Sequence, residues 1–292
     1  MFLTQIINGL ALGMTYALVA IGYSLVFGIL ELINFAHGAT YAFGAILTWY
    51  LVRYLHMSVF LACAVSILVT GGIGILLEYF GLRPLRKKGS SPITALITTI
   101  GLSYIIENCL TIAFGSQAQR FDVNMNFAEI HFAGVTIESS KIIIAAVSVV
   151  LLLLLYLMLQ KTKMGLAMRT VGQSQSAAAI SGVNVNMVIM MAFFLSGVCA
   201  AVAGTLVGGY YQVVSPSMGA AVGNKAFAAA VIGGLGSLPG AVVGGLLVGV
   251  SECMAAAYLG GTYTDTIAYL VLFIILIIKP SGLFRSKGIS KV

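Results

Sequence analysis

Charge is scarce in this 292-residue chain: Asp, Glu, Lys and Arg together supply 8% of it, against 60% hydrophobic residues. With a mean hydropathy of +1.06, that much apolar surface cannot be enclosed by a soluble domain, and a soluble globular fold is excluded. Cysteine is nearly absent as well. Cys63, Cys109, Cys199 and Cys253 fall one each in four separate apolar runs. With no CxxC pair and no His/Cys spacing that would hold an ion, they read as small buried apolar residues, and no metal is expected. Catalytic signatures are missing too: there is no Walker A loop, no HExxH, no GxSxG and no pair of aspartates suited to magnesium and a diphosphate. No catalytic residue can be named and no cofactor is expected, which leaves an intramembrane enzyme without support. Acids are rarer than bases, 8 against 15, for a net charge of +7. In a soluble protein that balance would point to a nucleic acid; in a membrane protein basic residues first report orientation, and no nucleic-acid partner is needed. No basic residue precedes the first apolar run, so the first span is expected to stay in the mature protein rather than leave as a signal peptide.

What the chain does have is apolar length. Runs cover roughly 5–30, 39–55, 58–81, 93–115, 141–160, 187–211, 224–236, 239–258 and 263–279, nine candidate spans of which one is short. If the 82–92 loop faces the cytoplasm, alternation puts Arg83, Arg86, Lys87, Lys88, Lys161, Lys163, Arg169, Lys279, Arg285, Lys287 and Lys291 on that side. Arg53, Arg120, Lys141 and Lys225 are left outside or in the membrane, a strong positive-inside bias. The N-terminus is then outside and the C-terminus cytoplasmic. Trp49, Tyr50 and Tyr54 mark the outer interface.

Two polar interruptions follow full spans. After Glu31 the segment Leu32-Ile33-Asn34-Phe35-Ala36-His37-Gly38 gathers an amide, an imidazole and a glycine; after the sixth span comes Val213-Val214-Ser215-Pro216-Ser217-Met218-Gly219. A break exposed to lipid would leave backbone groups unpaired, so each is expected to lie within the bundle or line a cavity. Both sit between the first and second span of a group of four, and a single connector separates the groups, which inverts one relative to the other. The expected fold is an all-α integral membrane protein, a polytopic helical bundle of about 8–9 spans. It comprises two inverted four-helix repeats joined by a central span, with broken helices. The boundaries are repeat one 1–115, outer loop 116–140, connector 141–160, cytoplasmic loop 161–186, repeat two 187–279 and cytoplasmic tail 280–292. Matching breaks in inverted halves point to a transport pathway, here Asn34, His37, Gly38, Ser215 and Ser217; the alternative is chance placement in a chain with 34 glycines. Gly204/Gly208, Gly240/Gly244 and Gly245/Gly249 form GxxxG pairs suited to close helix packing.

The longest polar stretch on the inner side is 161–186. Ser174 or Ser176 can cap a short helix, Ala177 and Ala178 propagate it, and Gly182 can end it. Such a helix, with Gln173 at its entrance, suits docking into a cleft on a soluble partner; the other reading is a plain connecting loop. Among ionisable residues, Lys225 and Glu252 are placed to form an intramembrane ion pair, either structural or proton-carrying. Glu107 also lies inside an apolar run, and no partner for it is evident in the sequence. His37 is either a proton relay or a hydrogen-bonding group that satisfies a broken helix.

The run INFAHG at 33–38, GLRPLR at 81–86 with TTIGLS at 98–103, AMRTVGQSQSAAAISGVNVNMVI at 167–189 and KAFAAAVIGGLGSLPGAVVGG at 225–245 resemble the Liv-type permeases of branched-chain amino-acid ABC importers. The resemblance spans nearly the whole chain. It implies two cytoplasmic ATP-binding subunits, a second related permease subunit, an extracytoplasmic binding protein that delivers substrate, and residence in a prokaryotic inner membrane. The family's coupling pattern Glu-Ala-Ala-x-x-x-Gly falls here on Ser176, Ala177, Ala178 and Gly182, with serine in place of the glutamate. In many relatives an acid follows the NFAHG motif, where this chain has Ala39. Urea or short amides are alternative cargoes within the family, and a self-contained channel or secondary transporter is the alternative outside it.

Overall fold

The computed structural model describes residues 2–121, 129–132 and 135–284; Arg285, Lys287 and Lys291 of the basic tally lie outside the described residues. The chain is a multi-pass helical membrane protein. In order, the helices are α1 (Phe2–Leu30), α2 (Ala36–Tyr54), α3 (Val59–Leu76), a π turn (Leu77–Leu82), α4 (Arg83–Lys87), α5 (Pro92–Phe114) and α6 (Ser139–Lys161). After these come α7 (Lys163–Gln173), α8 (Gln175–Ile180), α9 (Val185–Tyr211), α10 (Met218–Gly233), α11 (Leu238–Tyr258) and α12 (Thr264–Ile278). Four short strands, β1 (Gln119–Arg120), β2 (Glu129–Phe132), β3 (Val135–Glu138) and β4 (Val213–Val214), make two small antiparallel pairs, β1 with β4 and β2 with β3.

Seven helical stretches are long and apolar enough to cross a membrane, α3 and α4 counting as one. The other two apolar runs became α2, which is less apolar, and α10, which at 16 residues is shorter. Both are rich in Ala and Gly, and both are largely buried. The central helices α1 and α9 are 78% and 67% buried over their apolar windows, whereas the leucine-rich α6 is 22% and α12 only 6% buried. Lipid tails are as apolar as leucine, so large aliphatics gain little by turning inward, and the interior goes to small residues that let backbones approach. The GxxxG glycines do this: a Cβ at Gly245 or Gly249 on α11 would strike the backbone of Ala17 or Gly13 on α1.

The helix partnerships have a pattern. α1 packs most extensively along α11, and α9 packs most extensively along α3, followed by α2 and α1. The first helix of each group of four thus lies along the third helix of the other. β4, which follows α9, is bound to β1, which follows α5, and Trp49 Nε1 on α2 donates to the Arg120 carbonyl at 3.0 Å. These contacts gather the C-terminal ends of α2, α5 and α9 at one end of the bundle. α7 and α8 lie at the opposite end, where a cleft is lined by Ile29, Leu30 and Glu31 of the α1 exit and by Val171, Gln173 and Ser176.

Candidate functional site

The first break turns back into the bundle. α1 stops at Leu30, and Glu31 takes a left-handed backbone (φ 54°) that reverses the chain. His37 then reaches the carbonyl of Val19 at 3.1 Å, and Val19 lies 11 residues before Leu30, about 16 Å back along α1. α2 therefore begins deep inside the bundle. Backbone groups of the climbing segment are satisfied on the way: the Phe35 amide donates to Thr99 Oγ1 at 3.2 Å and the Ala36 amide to Asn34 Oδ1 at 3.2 Å. Because Val19 offers a carbonyl, His37 Nε2 must carry the proton, which leaves Nδ1 to accept from Ser196 Oγ at 3.0 Å. His37, 1% exposed, thus ties α2 to α1 and α9 with both ring nitrogens occupied.

The second break has the same construction from the other end. Gln212 is left-handed (φ 53°), β4 runs inward, and α10 starts at Met218. The two re-entrant helices meet at their first turns: a Cβ at Gly38 would strike the Gly219 carbonyl, and one at Gly219 would strike the Gly38 carbonyl. Neither helix has a side-chain cap at its N-cap residue, Phe35 or Ser217. Beside this crossing opens a cavity of about 180 Å³, lined by Tyr23, Gly38, Ser103, Glu107, Gly219 and Asn224 among others. Ala39 lines it too. That volume lies below the roughly 300–1,000 Å³ of drug-sized ligand sites and suits a small solute.

Of the residues singled out in the sequence, Gly38 lines this cavity. Asn34 and His37 are buried and bonded within the packing around it. Ser215 is half-buried and Ser217 exposed, and neither lines it. Glu107, noted in the sequence without a partner, lines the cavity too, and Tyr23, Ser103, Tyr104 and Asn224 are the polar residues it adds. Among the described residues the Glu107 carboxylate has no hydrogen-bond or ion-pair partner; only its backbone carbonyl is used, by Thr111.

A second acid is placed very differently. Lys225 Nζ lies 2.6 Å from Glu252 Oε1 and 2.7 Å from Asp265 Oδ1, and Tyr16 Oη donates to Glu252 Oε2 at 2.7 Å. The Lys225–Glu252 pair was legible from spacing; Tyr16 and Asp265 were not. A third acid, Glu78, is fully buried and chelated by Arg83 (2.7 Å) and Arg86 (3.1 Å). Arg86 also bonds Asn186 Oδ1 at 2.6 Å, fastening α4 to the first turn of α9.

At the end of the bundle where α1 exits, α8 matches the expected short helix closely. Ser174 Oγ accepts from the Ala177 amide at 3.2 Å, capping its N-terminus. Gly182 (φ 81°) closes it with the Schellman pair, Val183 N–H to Ala178 O and Gly182 N–H to Ala179 O, both 3.0 Å. Ala178 faces inward, while Gln173, Ser174, Ser176, Ala177 and Gly182 are exposed, as is Ile180 at 89%. The sequence did not reveal α7, which starts where Thr162 Oγ1 accepts from the Gly165 amide at 3.1 Å. Its Met168 and Val171 are buried and its Leu166 exposed.

The family described as "Branched-chain amino acid transport system / permease component" matches residues 5–278. The chain belongs to that family. This permease is 36% identical to the high-affinity branched-chain amino acid transport permease protein BraD of Pseudomonas aeruginosa, over 100% of this chain and 98% of that one. LivH of Escherichia coli K12 is 34% identical over the same shares. The probable branched-chain permease LivH of Methanocaldococcus jannaschii is 30% identical over 91% of this permease and 87% of its own length. As a family member it is a transport component and not an enzyme.

Proposed function

We propose that this permease is the membrane-spanning subunit of an ATP-driven ABC importer for branched-chain or other apolar amino acids. The observation that carries the reading is the end-to-end match to branched-chain permeases in a chain without a P-loop. Energy must then come from elsewhere, and the capped, exposed α8 is a fitting receiver for it. Two cytoplasmic ATP-binding subunits dock through the segment containing Gln173, Ser174, Ser176, Ala177, Ala178 and Gly182. A second related permease completes the membrane part, and an extracytoplasmic binding protein delivers the solute. The N-terminus lies outside and the C-terminus in the cytoplasm of a prokaryotic inner membrane, which follows from the distribution of Lys and Arg. The two halves work as inverted repeats, supported by the exchange of partners between α1–α11 and α9–α3. Solute passes where the two re-entrant helices meet, beside Gly38 and Gly219, rather than along His37, whose ring is fully engaged. Urea and short amides are not favoured, since BraD and the Escherichia coli LivH, both matched over 98% of their own length, carry the branched-chain name.

Reconstitution tests the reading. Uptake of leucine into proteoliposomes is expected to need ATP, the ATP-binding subunits and loaded binding protein together. Flux catalysed by the permease alone would instead make it a channel or secondary transporter.

A further inference from the structure

The membrane interior is a costly place for a carboxylate, and natural proteins keep one there only for a partner or a task. Glu107 lies 15 residues into α5, about 22 Å from its start at Pro92 and about 10 Å from its end at Phe114. No cation among the described residues approaches it, although Glu252, Asp265 and Glu78 have each been given one. Instead it borders the small cavity at the helix crossing, with the Asn224 amide and the Ser103 and Tyr23 hydroxyls around the same space. The missing counter-charge has to come from something that enters.

We propose that Glu107 is the membrane-embedded contact for the ammonium group of an amino acid in transit. The proposal rests on the importer reading above and deepens it. A carboxylate accepts from the three N–H donors of a primary ammonium ion, and the pairing strengthens in the low dielectric of the bundle. The neutral groups beside it leave the aliphatic side chain free of specific demands, so one site serves several apolar amino acids. The first turns of α2 and α10 meet at Gly38 and Gly219 beside the same space, so the positive ends of two helix dipoles favour the carboxylate end of the solute there.

The test uses the complete importer, with both permeases, ATP-binding subunits and leucine-loaded binding protein, in proteoliposomes. Glu107→Gln keeps shape and removes charge; Glu107→Asp keeps charge. With Glu107→Gln, leucine uptake at saturating binding protein is expected to fall at least tenfold. Binding-protein-stimulated ATP hydrolysis and the half-saturating binding-protein concentration should stay within twofold. Glu107→Asp should recover a substantial part of uptake. Normal uptake by Glu107→Gln would overturn the proposal and leave the importer reading intact. Loss of subunit co-purification or of ATP hydrolysis together with uptake would also overturn it, by showing a structural or inter-subunit ion-pair role. Failure of the unmodified complex to couple hydrolysis to uptake would instead sink the importer reading itself.

Discussion

Two acids within the membrane part of this permease have opposite surroundings. Glu252 is met by Lys225 and Tyr16, with Asp265 closing the cluster, so four helices, α1, α10, α11 and α12, are pinned by one set of charges. Glu107 is met by nothing in the described chain and borders a cavity. A charge that is answered holds the bundle together; a charge left unanswered is available to a solute. The same contrast separates the two breaks from their neighbours. His37, bonded through both ring nitrogens, and Asn34, whose Oδ1 accepts from the Ala36 amide, fix the re-entrant geometry, whereas Gly38 and Gly219, packed against each other, border the cavity.

This contrast can be broken most forcefully at Lys225. Lys225→Met strands Glu252 and Asp265 with no cation, and removing one partner of a buried pair typically costs about 3–5 kcal/mol. A large fall in thermal midpoint is expected, partly restored by the added change Glu252→Gln; unchanged melting of both variants would show the cluster to be dispensable. Glu78→Gln comes next. It removes the charge that Arg83 and Arg86 share, and charge-assisted hydrogen bonds of this kind are worth about 1.5–3 kcal/mol. Melting should fall and coupling of hydrolysis to uptake should loosen, because Arg86 also holds Asn186 at the start of α9.

Gly182→Trp should abolish uptake while membrane insertion is kept: no atom blocks a side chain there, so the damage is confined to the positive φ and the exposed docking face. Uptake at the normal rate would count against coupling through α8. The smallest effect on stability is expected from Glu107→Gln, whose melting should match or slightly exceed that of the unaltered permease, since an unpaired charge is being removed. A marked loss of stability there would erase the distinction between the two acids.

Much of the fold was legible because membrane helices announce themselves as apolar runs. The nine runs became nine helices or helical stretches, and the two breaks fell at 31–35 and 212–217, where Asn, Ser and Pro interrupt them; they are shorter than expected, since α2 and α10 start at Ala36 and Met218 rather than at 39 and 224. Ser174 and Gly182 were readable because capping is local chemistry. The depth of the breaks was not readable, since it depends on His37 meeting Val19 and Ser196 on other helices. Glu78 was missed for a geometric reason: it pairs with Arg83 five positions on, across a π turn, while ordinary helical spacing brings together residues three or four apart. Asp265 was passed over because it stands in a polar stretch at the end of a span; Glu107 stood out as an acid inside an apolar run, but its surroundings could not be read because its neighbours in the cavity come from α1, α2 and α10.

The most direct test of the account is the number of leucine molecules taken up per ATP hydrolysed, per folded complex, compared between Glu107→Gln and Glu252→Gln. The account predicts a ratio at least tenfold lower for Glu107→Gln and an unchanged ratio for Glu252→Gln, whose deficit should appear only as less folded protein. Equal ratios in the two variants would contradict it.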